Sequence, residues 1–194
     1  MKHAFLLTGS NAAGKTTSVE KALEPWYGEQ PGEVPVPRLD HRIMSIRADN
    51  DGRFKGDAQD QRRVLTELWL SEIPILMVEG TRINTPIMDV YKKFRLGREE
   101  EGHVGTRGLT VLMALQTAEV MRAHLVDRCM KKGKAFRMDY WDYNKLNYEG
   151  MRRYPTSFRK NGITPVTFQI DREYKICDQI VEFLQTKIRE VLGE

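Results

Sequence analysis

Residues 9–16 read Gly-Ser-Asn-Ala-Ala-Gly-Lys-Thr, a match to G-x-x-x-x-G-K-[ST], and no other stretch limits the possible folds as much. The run sits between an apolar segment, Ala4–Thr8 (AFLLT), and a helical pattern from Lys15 to Leu23. A strand, a glycine-rich turn and a helix in that order bring backbone N–H groups and a helix N-terminus around one phosphate. Lys15 then reaches the β- and γ-phosphates and the Thr16 hydroxyl is placed to ligate Mg²⁺. Gly9, Ser10, Asn11, Ala12, Ala13, Gly14 and Thr17 complete the cradle, so the expected ligands are ATP and Mg²⁺.

The rest of the chain continues the alternation. Pro25 stops the first helix, and Gly28, Pro31, Gly32, Pro35 and Pro37 predict an irregular connection to an apolar stretch at Arg42–Ile46. Val64, Leu65, Leu68 and Trp69 mark a helix over Ala58–Glu72 with one buried stripe. Ile75–Val78 is apolar without alternation, as a strand covered on both faces should be.

A helix is expected over Thr85–Leu96, then a mobile insertion at Gly97–Gly108, then a buried strand at Leu109–Leu115 with Thr117 capping the next helix. Gly133–Gly162, dense in Arg, Lys, Tyr and Trp, reads as short helices leaving the sheet. Pro165–Ile170 is a fifth strand and Arg172–Leu192 a closing helix. Right-handed crossovers turn such an order into a parallel sheet with helices on both faces.

The 194 residues suit one domain, spanning 1–194 with an excursion at about 129–163. No segment has the roughly 20 apolar residues of a membrane span, and no leader pattern opens the chain, so a cytoplasmic protein that avoids membranes is expected. Cys129 and Cys177 lack metal-ligand spacing and are read as reduced thiols. The net charge of +4 suits a polyphosphate and permits a nucleic acid.

With these features the chain resembles the P-loop kinase superfamily, which includes nucleoside monophosphate kinases and polynucleotide 5′-kinases, over essentially its whole length. The resemblance implies a three-layer α/β P-loop NTPase fold, a five-stranded parallel sheet with helices on both faces and a lid excursion. It implies that Glu79, ending Ile75-Leu76-Met77-Val78-Glu79-Gly80, stands near Mg²⁺. Thr117–Arg128 is similar to the strand exit and lid-entry helix of these kinases, where Arg122 or Arg128 would shield the transferring phosphoryl group. Arg172 falls where the family contacts adenine.

A hydroxyl acceptor gains from a carboxylate that takes its proton, whereas an acceptor phosphate needs arginines to position it. The cluster Arg47-Ala48-Asp49-Asn50-Asp51-Gly52-Arg53 is similar to one in polynucleotide kinases, which implies Asp49 or Asp51 as the base; Asp40 is a further candidate. The stretch Glu79-Gly80-Thr81-Arg82-Ile83-Asn84 lacks the D-G-x-P-R run of adenylate kinases and the D-R-Y-type run of thymidylate kinases, though Arg82 could grip an acceptor phosphate.

Arg152 and Arg153 belong to a basic and aromatic stretch, Lys131–Asn161, suited to a nucleic-acid acceptor, with Arg47 as a further acceptor contact. The leading expectation is transfer to a hydroxyl of a polynucleotide or of a hydroxymethylated pyrimidine in DNA. A nucleoside monophosphate kinase is the second and an ATPase without a dedicated acceptor the third.

Overall fold

The computed structural model describes residues 2–29, 37–101 and 107–194. Strand β1 (His3–Gly9) runs through the phosphate-loop sequence into α1 (Lys15–Leu23). Pro25 opens a short 3₁₀ turn, as a residue without an N–H can, and β2 (Tyr27–Glu29) pairs antiparallel with β3 (Pro37–Leu39). This small ribbon occupies part of the connection expected to be irregular; residues 30–36 lie outside the described residues.

Then come β4 (Ile43–Arg47), α2 (Ala58–Leu70), β5 (Ile75–Glu79), α3 (Asn84–Glu101) and β6 (Gly108–Leu115). The chain ends with α4 (Ala118–Lys131), α5 (Met138–Met151), α6 (Tyr154–Lys160), β7 (Val166–Gln169) and α7 (Ile176–Leu192).

The sheet has the order β4-β5-β1-β6-β7, with every neighbouring pair parallel. The five apolar runs therefore form the expected three-layer architecture. One core joins Leu6, Leu76, Val78 and Val111 to Trp69 of α2, Ile87 of α3 and Phe158 of α6. The other joins Phe5, Leu7, Met77 and Leu112 to Val19 of α1 and Ile180, Leu184 and Ile188 of α7. The chain crosses from one side of β1 to the other between β5 and β6. That reversal opens a crevice beyond the carboxyl ends of the strands beside β1.

The expected mobile insertion at 97–108 is corrected in part. Helix α3 continues through Gly97 to Glu101, Arg107 is buried, and Gly108 already pairs with His3; residues 102–106 lie outside the described residues. The excursion is also more regular than expected, since α5 is one 14-residue helix. Among the described residues no helix is long and apolar enough to cross a membrane.

Candidate active site

Sheet register decides which side chains meet at the crevice. Leu7 of β1 and Arg47 of β4 are both level with Glu79 of β5, so three strands end together. The N–H of Ala48 donates to the Glu79 carbonyl at 2.8 Å and that of Gly80 to the Leu7 carbonyl at 3.2 Å. The phosphate loop, Glu79 and the turn holding Asp49 consequently share one edge.

Glycine is required where the loop leaves the sheet. Gly9 has φ +149°, and a Cβ there would overlap the carbonyl oxygen of Ala114 on β6. Gly14, at the N-cap of α1, has φ +74°, and a Cβ would come within 2.9 Å of Cys177 Sγ. Ala12 is also left-handed, with φ 59°.

Lys15 curls back over the loop and donates to the carbonyls of Gly9 (3.2 Å) and Ser10 (2.9 Å). Burial holds its pKa below the ordinary lysine range, opposed by the nearby Glu79 and Asp49 carboxylates. Thr16 donates its hydroxyl to Glu79 Oε1 at 2.6 Å, while the buried Glu79 Oε2 has no hydrogen-bond partner among the described residues.

These groups line a cleft of about 950 Å³ with Asn11, Gly14, Thr17, Asp49, Arg128 and Tyr174. Ser10 lies beneath the loop instead, fully buried, and donates to Gln116 Oε1 at 3.0 Å.

Asp49 and Asp51, equivalent in the sequence, are separated here. Asp49 lines the cleft, with both carboxylate oxygens 3.3 Å from the Thr81 N–H. Asp51 caps the 3₁₀ turn Gly52–Phe54 and holds Arg53 through both oxygens, which keeps its pKa below the usual carboxylate range. Asp40 is likewise engaged with Arg42, away from the cleft.

The arginines divide in the same way. Arg128 lines the cleft, whereas Arg122 stacks on Trp141 with its guanidinium 5.8 Å from the ring centroid. Arg172 pairs with Asp127 at 2.8 Å and does not line the cleft. Arg47 pairs with Glu20 of α1. Arg82 donates to the Tyr143 hydroxyl at 3.4 Å, which lowers the Tyr143 pKa. Arg152 and Arg153, at the junction of α5 and α6, are exposed and line no part of the cleft.

A buttress beneath the loop escaped the sequence reading. Gln116, just after β6, accepts from Ser10 and donates to the Ala12 carbonyl (3.2 Å) and to His124 Nδ1 (2.8 Å). The donor on Nδ1 leaves the His124 proton on Nε2, which donates to the Arg172 carbonyl at 2.9 Å. Tyr174 stacks on His124 at 3.9 Å and donates its hydroxyl to the Ala12 carbonyl at 2.8 Å. From the excursion, Asn144 accepts from Asn11 at 2.5 Å. The polar residues that end a strand or begin a helix, Gln116 and Thr117, were the only signal in the sequence.

No family model matches the chain, and no curated protein does. Among solved structures, a fungal RNA kinase is similar with a TM-score of 0.54 and 10% identity, over 97% of this chain and 85% of that one. A candidate kinase from Chloroflexus aurantiacus is similar with a TM-score of 0.52 and 12% identity, over 97% of both chains. Identities this low speak for the fold. With the sheet order and the loop, they define the class: this chain has the P-loop NTPase fold.

Proposed function

We propose that the protein is an ATP-dependent kinase that transfers the γ-phosphoryl group to a hydroxyl of a polynucleotide or of a modified base in DNA. The observation that carries this reading is the separation of the two aspartates. One carboxylate without an ion-pair partner among the described residues, Asp49, faces the phosphate loop across the cleft, while Asp51 is bound to Arg53. A hydroxyl nucleophile gains from a carboxylate placed to take its proton.

The chemistry follows from the side chains. Backbone N–H groups of the loop and Lys15 hold the β- and γ-phosphates, and Arg128 supplies positive charge at the cleft wall. Asp49 accepts the proton of the acceptor hydroxyl as its oxygen attacks the γ-phosphorus in line, and ADP leaves.

Thr16 and Glu79 fit Mg²⁺: both offer hard oxygen donors, and the unpartnered buried Oε2 of Glu79 wants a cation or a water held by one. Bound there, Mg²⁺ would offset phosphate charge as it shifts to the leaving group. Two loop carbonyls hold the Lys15 ammonium in place.

Arg82 favours a second reading, a nucleoside monophosphate kinase, because it is exposed and directly follows Thr81, whose N–H meets Asp49, and its guanidinium could grip an acceptor phosphate. Incubation with γ-labelled ATP and a panel of 5′-hydroxyl oligonucleotides, hydroxymethylpyrimidine DNA and mononucleotides separates them. Label on a nucleic acid is expected. Label on mononucleotides alone supports the second reading, and phosphate release without any labelled acceptor overturns both.

A further inference from the structure

Beside the nucleotide cleft lies a second recess of about 430 Å³, between the C-terminal half of α4 and α5. Arg128 and Lys132 line both cavities and so form the wall between them. The recess adds Lys134, Arg137, Tyr140 and Tyr143. Arg137 is neutralised by Asp139 at 2.8 Å, but Arg128, Lys132 and Lys134 have no ion-pair partner among the described residues. Three uncompensated cations around one concavity favour an anion with several charges.

The aromatic rings give the ligand a second character. Tyr140 is fixed by an edge contact with Phe136, ring centroids 6.4 Å apart. Tyr143 remains 52% exposed although it borders the recess, and its hydroxyl accepts from Arg82. Arg82 follows Thr81, whose N–H meets Asp49, so the open ring of Tyr143 is tied to the turn that carries the proposed base. An exposed ring beside unpaired cations is what a base and its flanking phosphates require.

We propose that this recess is a subsite for single-stranded nucleic acid, in which Tyr143 and Tyr140 stack on a base beside the reacting nucleotide and Lys132 and Lys134 meet its phosphates. The inference rests on the kinase reading for its orientation toward Asp49, but its test reads binding alone. A mononucleotide reaching Asp49 would leave the recess empty, whereas a strand would fill it, so the subsite selects polynucleotides over free nucleotides.

The test is a fluorescence-anisotropy titration of labelled 5′-hydroxyl deoxythymidine octanucleotide, with dTMP and an oligoglutamate of equal charge as competitors. AMP-PNP affinity is measured in parallel by calorimetry on each variant. Tyr143→Leu should weaken octanucleotide binding about tenfold, and Lys134→Ala should reduce the slope of log K against log salt by about 0.7. Folding of each variant is read from AMP-PNP affinity, which should stay near that of the parent. Unchanged octanucleotide binding, an unchanged salt slope, or equal competition by dTMP or oligoglutamate would overturn the subsite. Absence of phosphoryl transfer would instead sink the kinase reading and leave this binding result standing.

Discussion

Thr16 Oγ1 lies 2.6 Å from Glu79 Oε1, a hydrogen bond that joins the first turn of α1 to the end of β5 across the strand edge. The other oxygen of Glu79 is buried and unpartnered among the described residues. A buried carboxylate oxygen left without a donor costs free energy, which a cation in this place would recover.

Glu79→Gln should therefore raise the Mg²⁺ concentration needed for half-maximal turnover about tenfold or more. The protein without metal should keep its stability, because the Gln carbonyl still accepts from Thr16 and a buried charge is removed. Mg²⁺ titration of activity with thermal unfolding of the apo form checks both; an unchanged Mg²⁺ requirement would remove Glu79 from the metal's surroundings.

Lys15 gives a pH prediction. Burial lowers its pKa in the free protein, and phosphate oxygens should raise it on binding. A group whose pKa rises on binding takes up a proton between the two values. ATP affinity should accordingly be fully present below the free-state pKa and decline as pH rises through it. Calorimetry at a series of alkaline pH values in two buffers of different ionisation enthalpy should show proton uptake. No uptake there would mean that the ammonium is already fully charged.

Gly9→Ala should destabilise the protein by about 2 kcal/mol or more, since it combines a φ of +149° with overlap on the Ala114 carbonyl. Urea unfolding gives the value. A loss within a few tenths of a kcal/mol would show that β1 and β6 can part at no cost.

Gln116→Leu removes the hinge of the buttress without touching the cleft, because Gln116 is buried and lines no part of it. Ser10 would lose its acceptor and His124 Nδ1 its donor, at about 1–3 kcal/mol of stability. ATP should bind more weakly, with the folded fraction held above nine-tenths by choice of temperature. Unaltered ATP affinity in that folded protein would reduce the network to a packing feature.

The three-layer fold was legible because its signals are local. A run such as Ile75–Val78 declares a doubly covered strand, and the loop sequence at 9–16 fixes the strand and helix on either side. Side chains whose meaning depends on distant partners were not legible. Asp49 and Asp51 are alike in sequence, and what separates them is the cleft position of the one and the Arg53 fork on the other.

Arg107 misleads in the other direction. In a charged, glycine-rich stretch it reads as solvated, yet it is buried and donates to the carbonyls of Trp69 (2.9 Å), Ser71 (2.7 Å) and Pro74 (3.2 Å). It thus satisfies the open end of α2, a need visible only once the helix and β6 are side by side. His124 and Tyr174, 50 positions apart, stack for a similar reason, because α4 and the turn after β7 converge behind the loop.

The most direct measurement is single-turnover transfer of label from γ-labelled ATP to a 5′-hydroxyl oligonucleotide by the parent, Asp49→Asn and Asp51→Asn proteins, with ATP affinity measured on each. A labelled strand is predicted with the parent, a fall of about 100-fold or more with Asp49→Asn at unchanged ATP affinity, and little change with Asp51→Asn. Equal rates for the parent and Asp49→Asn, or phosphate release with no label on the strand, would contradict the account.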